Sequence, residues 1–408
     1  MGFVYQGAGD GGGFSPAGVV SAPPAFTFFV DPVAGIDTNP GTQALPWKTI
    51  TKVNSTVGAG QTVGFKRGTT IAGQLIPAAN GITYGAYGSG ALPVVNGAGQ
   101  TQCLFASAKS NITVQDLRLT AGGTYGIAAD AANGLTITGL EIDNANSSGI
   151  ILGNGTQNVN ISNCLVHNNG IGASGDRDGI GIGGGGAASH DIVIQGCDIY
   201  NNWHDGIRIS MTSAFFTPSN ITIKNNTVRG STTASGIACD ACSNLTVIFN
   251  VVINNTAGVG IYVVPANVSA HVENVAAVVY HNTVVGNLWG TLTTTGGGGT
   301  FNVTLKNNLF QSNGVSGSSA EIGINTLTTW VSDYNLVWHP AGGNFMWGTS
   351  YMSWATWKTT VAPSDANSKN SDPLLNPDYT LQAGSPAIGA GIFIAGVSTS
   401  NPPNIGAK

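Results

Sequence analysis

Apolar and polar residues alternate with a period of two along most of the chain, in short runs separated by glycine, asparagine and serine. The runs recur in a fixed order. Asn, apolar, any, apolar is followed by a polar pair, a second short apolar run, a polar turn and then x-Gly-Ile-x-apolar, from about residue 110 to 310. Copies begin with SNITV at Ser110, NGLTI at Asn133, NVNIS at Asn158, HDIVI at His190, NITIK at Asn220, NLTVI at Asn244 and NVTLK at Asn302. A degenerate copy, ENVAAVVY, begins at Glu273, and with it included successive copies lie 23 to 32 residues apart. Each alternating run reads as a short strand, so each repeat carries three.

Three strands per repeat, stacked in one phase, predict an all-β solenoid: a right-handed parallel β-helix with one chain turn per coil. A single coil buries almost nothing, so stability has to come from Ile and Val of successive coils packing on each other. Cys164, Cys197, Asn226, Asn250, Asn282 and Asn308 fall at equivalent turn positions, which predicts an interior ladder of asparagines satisfying one another and the turn backbone. Cys164 and Cys197 would then lie about 4.8 Å apart on adjacent coils, as packed thiols or, in the alternative, a disulfide.

Residues 1–25 read as a flexible leader of Gly, Ser and Pro, and 26–328 as the β-helix with its N-terminal cap. Within the cap, Trp47–Val57 has helical length. Residues 329–408 break the repeat, are rich in Trp and include SYMSWATWKTTV, a second short helix; they read as the C-terminal cap. The repeat, with the opening FVDPVAGIDTNPGTQALPWKTI and the closing DPLLNPDYTLQAGSPAIGAG, resembles the pectin-lyase-like superfamily of β-helix proteins over roughly residues 26–392. That superfamily includes polysaccharide lyases, polygalacturonase-like hydrolases, epimerases and inactive binding proteins, so the resemblance implies a fold and a saccharide ligand, and no single reaction.

Only 8 % of residues are charged and the net charge is −5. No Lys/Arg run exists to neutralise a row of phosphates, which disfavours nucleic acid, and no apolar run is long enough to span a membrane. Five cysteines are too few for a disulfide scaffold. Cys239 and Cys242 form a C-x-x-C with no second pair, so no zinc site is expected.

The scarce charges cluster, with seven of them between positions 176 and 208. Aligned on x-Gly-Ile, the stacked position holds Tyr125, Ser148, Asp178, Asp205, Ser235 and Val259; Arg177 and His204 precede the two carboxylates, and Arg208 follows Asp205 by three. Two carboxylates stacked about 5 Å apart cannot both ionise cheaply, which points to an acid/base pair of Asp178 and Asp205. His204 would relay protons, Arg208 would complete the catalytic group, and Arg177, Asp176, Trp203 and Tyr262 would bind substrate. The opposing reading is structural, since Asp before Gly is a common turn residue that accepts backbone hydrogen bonds.

The resemblance implies that this strand faces the saccharide. DRDGIGI followed by HDGIRI is similar to the adjacent acidic motifs of polygalacturonase-like hydrolases, while their Gly-His-Gly is replaced here by ASGIACD. Hydrolysis by the carboxylates, which needs no cofactor, is preferred because carboxylates dominate the patch. The alternatives are β-elimination by an arginine base with Ca²⁺ held by Asp176, Asp178 and Asp205, and a non-catalytic adhesin or tailspike-like trimer on a virion surface. A polysaccharide or oligosaccharide is the expected partner, and an extracellular site of action is expected although no signal peptide is read in the chain. A second outward column holds Thr120, Asp143, His167, Tyr200 and Arg229, flanked by Arg118, Glu141 and Asp198, and reads as a solvated polar face.

Overall fold

The computed structural model describes residues 26–172, 177–183, 186–210, 216–240, 242–264, 275–294, 301–314, 319–325, 329–342 and 345–407. The leader at 1–25, Asp176 and most of the glycine runs at 183–186 and 296–299 lie outside those residues.

The strands form three long sheets in which neighbours are one coil apart in the chain, except for the closing hairpin of the third. Sheet A has 12 strands, from Phe28–Val30 to Thr329–Asp333; sheet B has 11, from Thr70–Ala72 to Leu336–Trp338. Sheet C also has 11, from Gln102–Phe105 to Phe345–Trp347, and closes with Ser350–Met352. All pairings between these strands are parallel except the last, where Phe345–Trp347 meets Ser350–Met352 antiparallel. The chain is thus an all-β parallel solenoid with three strands per coil. Its inward columns are aliphatic: Ile127, Ile150, Ile180, Ile207, Ile237 and Ile261 stack in register on sheet C, all buried. Each such side chain contributes about 1.5–3 kcal/mol on leaving water.

The corners repeat too. Between sheets A and B the chain passes through one left-handed residue per coil, Asn163, Gly196, Asn225, Phe249, His281, Asn307 and Tyr334 in turn, each with φ between +53° and +63°. Asn is favoured there because its short polar side chain tolerates that backbone. Next to this corner stands the asparagine ladder. Asn226, Asn250, Asn282 and Asn308 each donate backbone N–H and Nδ2 to the Oδ1 of the ladder residue one coil on, ending at Asn335. Cys164 and Cys197 occupy the same column as free buried thiols, and the Cys164 N–H donates to Cys197 Sγ at 3.4 Å.

A second buried ladder, not foreseen from the sequence, runs through Asn255, Asn287 and Asn313 and ends on Glu321, whose carboxylate accepts the N–H and Nδ2 of Asn313. Glu321 lies before its strand rather than at a repeated asparagine position, so pattern matching passes it over.

The N-terminal helix is Ile50–Thr56, inside the expected segment, capped by Thr49 and burying Ile50 and Val53 against the first coils. The C-terminal helix is Trp354–Thr360, capped by Ser353. The expected boundary at 328 is too early. Thr329–Asp333, Leu336–Trp338 and Phe345–Trp347 extend all three sheets by a further coil. Trp330 and Phe345 stand at the inward positions of that coil, where Ile and Val stand in the others, and this hides it from an aliphatic pattern. Trp357 is fully buried against Trp330 and Phe345, so these tryptophans are core.

Candidate functional site

The stacked x-Gly-Ile position forms a third ladder. Ser148 Oγ accepts the Asp178 N–H, Asp178 Oδ1 accepts the Asp205 N–H at 3.2 Å, Asp205 Oδ1 accepts the Ser235 N–H at 2.7 Å, and Ser235 Oγ accepts the Val259 N–H. Asp178 and Asp205 are accordingly 1 % and 3 % exposed. This corrects the expectation of two carboxylates facing a sugar: the corner turns them inward, and each spends an oxygen on backbone.

Both carboxylates also hold His204. Its Nδ1 lies 3.0 Å from Asp178 Oδ1 and 2.9 Å from Asp205 Oδ2. The ring remains about one third exposed, and among the described residues Nε2 has no hydrogen-bond partner. Hydrogen bonds to Asp178 and then Asp205 push the imidazole up to about 10 from the ordinary 6.5, against the opposing effect of burial. Burial raises the Asp178 carboxyl, and the Asp205 charge adds to it. The unit is an imidazolium clamped from behind by two buried carboxylates, with Nε2 left for a ligand.

Arg208 points outward from Ile207–Ile209 between Gly181 and Ala238, whose small side chains leave room for the guanidinium. Its Nε and Nη2 donate to Asp240 Oδ2 at 3.1 and 3.0 Å, and Nε lies 4.0 Å from Asp205 Oδ2. Asp240 was passed over in the sequence because ASGIACD was read as a departure from a motif and as half of a C-x-x-C. The signal was there: Asp240 stands two positions after Ala238, which is outward on the same strand. Burial raises its carboxyl above the ordinary range, with Arg208 opposing.

Arg177 caps the Trp203 ring, its guanidinium carbon 5.1 Å from the ring centroid. Trp203 is 44 % exposed. Gly170, at φ +86°, makes this packing possible, since a Cβ there would come within 2.6 Å of Trp203 Cβ and 2.7 Å of Arg177 Cβ. Tyr262 stands two coils beyond Arg208 in the same outward column, and its phenol is raised first by burial, then by Asp240 and Asp205. The structure therefore joins Asp178, His204, Asp205 and Arg208 directly, sets Arg177 with Trp203 beside them, and leaves Asp176 outside the described residues.

Asp178, His204 and Asp205 each offer a ligand atom within 4.8 Å of the others, as do Glu141, Asp143 and His167 on sheet B, so either group could hold a metal ion. For calcium, which takes roughly six to eight oxygen ligands, Asp178 and Asp205 have each already given one oxygen to a backbone N–H. Cys239 and Cys242 are buried and join no metal-ligand cluster among the described residues. On sheet B the expected column is in register, and Arg118 stands between Glu141 and Asp143, at 3.3 and 2.6 Å, as their counter-ion.

Residues 102–277 match the right-handed β-helix region family. No curated protein matches the sequence. Among solved structures, pectate lyase Pel9A is similar with a TM-score of 0.64 at 17 % identity, over 93 % of this chain and 95 % of that one. PfbA, a surface adhesin of Streptococcus pneumoniae, is similar with a TM-score of 0.58 at 12 % identity, over 73 % and 84 %. A GH136 lacto-N-biosidase from Eubacterium ramulus gives 0.49 at 15 % identity over 78 % of this chain, which spans 66 % of that protein's length. At such identities the likeness concerns the fold alone, and it includes a lyase and an adhesin alike. The chain is a right-handed parallel β-helix protein sharing the architecture of pectate lyase Pel9A.

Proposed function

We propose that this protein is an extracellular carbohydrate-active enzyme that hydrolyses an acidic polysaccharide on the outer face of sheet C, without a metal. The observation that carries the reading is His204: a ring whose Nδ1 is shared by two buried carboxylates and whose Nε2 faces outward. Carboxylates behind an imidazole fix its orientation and keep it charged, which makes Nε2 a proton donor rather than an acceptor at neutral pH. Asp178 and Asp205 act as positioning residues.

In this scheme Nε2 gives its proton to the leaving glycosidic oxygen as the bond to the anomeric carbon breaks. Water attacks that carbon and passes a proton to Asp240, whose raised carboxyl makes it the better base of the exposed groups. Arg208 holds Asp240 in place, Trp203 offers an aromatic face for a sugar ring, and the half-buried cations Arg177 and His204 favour a uronate.

The test is incubation with neutral and uronate polysaccharides, with and without a chelator, reading reducing ends and the ultraviolet absorbance of unsaturated products together. Reducing ends alone, unaffected by chelator, are expected. Unsaturated products would mean β-elimination, and neither signal across a broad panel would mean a binding protein.

A further inference from the structure

The C-terminal segment returns along sheet B, where Asn307 holds the backbone of Ile392 and Gly406, Thr283 Oγ1 accepts the Ala407 N–H, and one imidazole is enclosed between segment and coil. Ile405 and Ala387 pack on Leu309 and Leu336, and beside them His281 sits at the left-handed corner, 1 % exposed, with Phe249 stacked on its ring at 4.8 Å. The segment closes over the ring: Asn404 O lies 3.2 Å from Nδ1 and Ser398 Oγ 3.2 Å from Nε2.

Asn307 decides which nitrogen carries the proton. Its Oδ1 accepts the Ile392 N–H at 2.8 Å and its Nδ2 donates to Ile392 O at 2.8 Å. A backbone N–H only donates and a carbonyl only accepts, so this amide cannot be turned over. Its Nδ2 therefore presents an N–H to His281 Nε2 at 3.1 Å, and Nε2 must accept. The neutral ring then holds its proton on Nδ1, where it donates to Asn404 O.

A second proton would have to enter on Nε2. Ser398 can swing its hydroxyl to accept it, but Asn307 cannot, and two donors would face each other in a buried site. No charge compensates: from the adjoining coils the ring meets Phe249 and Asn307, and from the C-terminal segment Ser398, Asn404 and Gly406. The nearest ionisable groups along the chain, Tyr280 and Lys306, are register partners on sheet A, and burial raises the Tyr280 phenol.

We propose that His281 is an acid-sensitive latch: neutral, it accepts from Asn307 and donates to Asn404 O, completing the attachment of residues 391–407 to sheet B, and protonated, it loosens that attachment over Leu309 and Leu336. Burial holds the imidazole below its ordinary 6.5, in agreement with this arrangement. The folded state favours the neutral ring, so the attachment is at full strength above pH 6.5 and weakens as pH falls below it.

The test is amide hydrogen exchange on the full chain at about pH 7.5 and about pH 5, expressed as protection so that the chemical rate cancels, with the Ile50–Thr56 helix as internal reference. Protection at Gly391, Ile392, Ile405 and Gly406 is expected to fall about tenfold in acid while the reference holds. His281→Asn keeps a residue suited to the left-handed corner and has nothing to titrate. Its protection at these amides, whatever the starting level, is expected to stay the same at both pH values. Unchanged protection in the wild type, an equal acid loss in His281→Asn, or ring nitrogen shifts placing the neutral proton on Nε2 would each overturn the proposal.

Discussion

Removing the side chain of Asn282 tests whether the asparagine ladder holds the coils together. Its Oδ1 accepts the N–H of Asn250 at 2.9 Å and the Nδ2 of Asn250 at 3.0 Å; its Nδ2 shares its two hydrogens among Val247 O, Tyr280 O and Asn308 Oδ1. In Asn282→Ala the Asn250 Nδ2 keeps Ile223 O and Ile248 O, and Tyr280 O keeps the Phe249 N–H. The Asn250 N–H is left buried without an acceptor, which costs about 1–3 kcal/mol. The two N–H donors lost with Nδ2 add about 0.5–1.5 kcal/mol each, giving a loss of about 2–6 kcal/mol in all. Urea denaturation followed by circular dichroism measures the loss, and exchange at the Asn250 amide localises it. Thr222→Ala, at an outward position on sheet A, serves as control and should stay within about 0.5 kcal/mol. A loss below about 1 kcal/mol in Asn282→Ala, with the Asn250 amide still protected, would refute the ladder argument.

Other consequences can be checked separately. All five cysteines are free and buried, so a thiol reagent should react with none of them in the native protein and with all five in denaturant. In Asp178→Asn the first of the ring's two acceptors loses its negative charge, and the His204 pKa, read by nuclear magnetic resonance, should fall from about 10 towards the ordinary 6.5; an unchanged titration would mean that the carboxylates do not control the ring. Gly170→Ala forces a Cβ against Trp203 and Arg177 at a positive φ, and should cost about 1 kcal/mol or more of stability and weaken glycan binding measured by calorimetry.

The period-two runs and the x-Gly-Ile register made the solenoid, its three sheets and the Cys164-to-Asn308 column readable before any coordinates, because each coil repeats the same physical problem. What the pattern could not supply was direction at the corners. Asp178 and Asp205 were placed on adjacent coils correctly, yet whether a corner side chain turns in to a backbone N–H or out to solvent depends on the next coil's amide, which sequence spacing does not show. Asp240 is hidden for a related reason: the segment just after Ile237–Cys239 departs from the Gly-His-Gly of the family it resembles while keeping the outward position. The final coil escaped because Trp330 and Phe345 do the work of isoleucine there.

The pH dependence of glycan cleavage by the wild type, His204→Gln and Asp240→Asn tests the central claim most directly. Wild-type activity should rise as Asp240 ionises, above the ordinary carboxylate range, and fall only as pH climbs through about 10, where His204 gives up its proton. His204→Gln should lose about 100- to 10,000-fold in kcat with the alkaline limb gone, and Asp240→Asn should lose the acid limb. Full activity in His204→Gln, with the wild-type profile intact, would contradict the claim that the clamped imidazole is the proton donor.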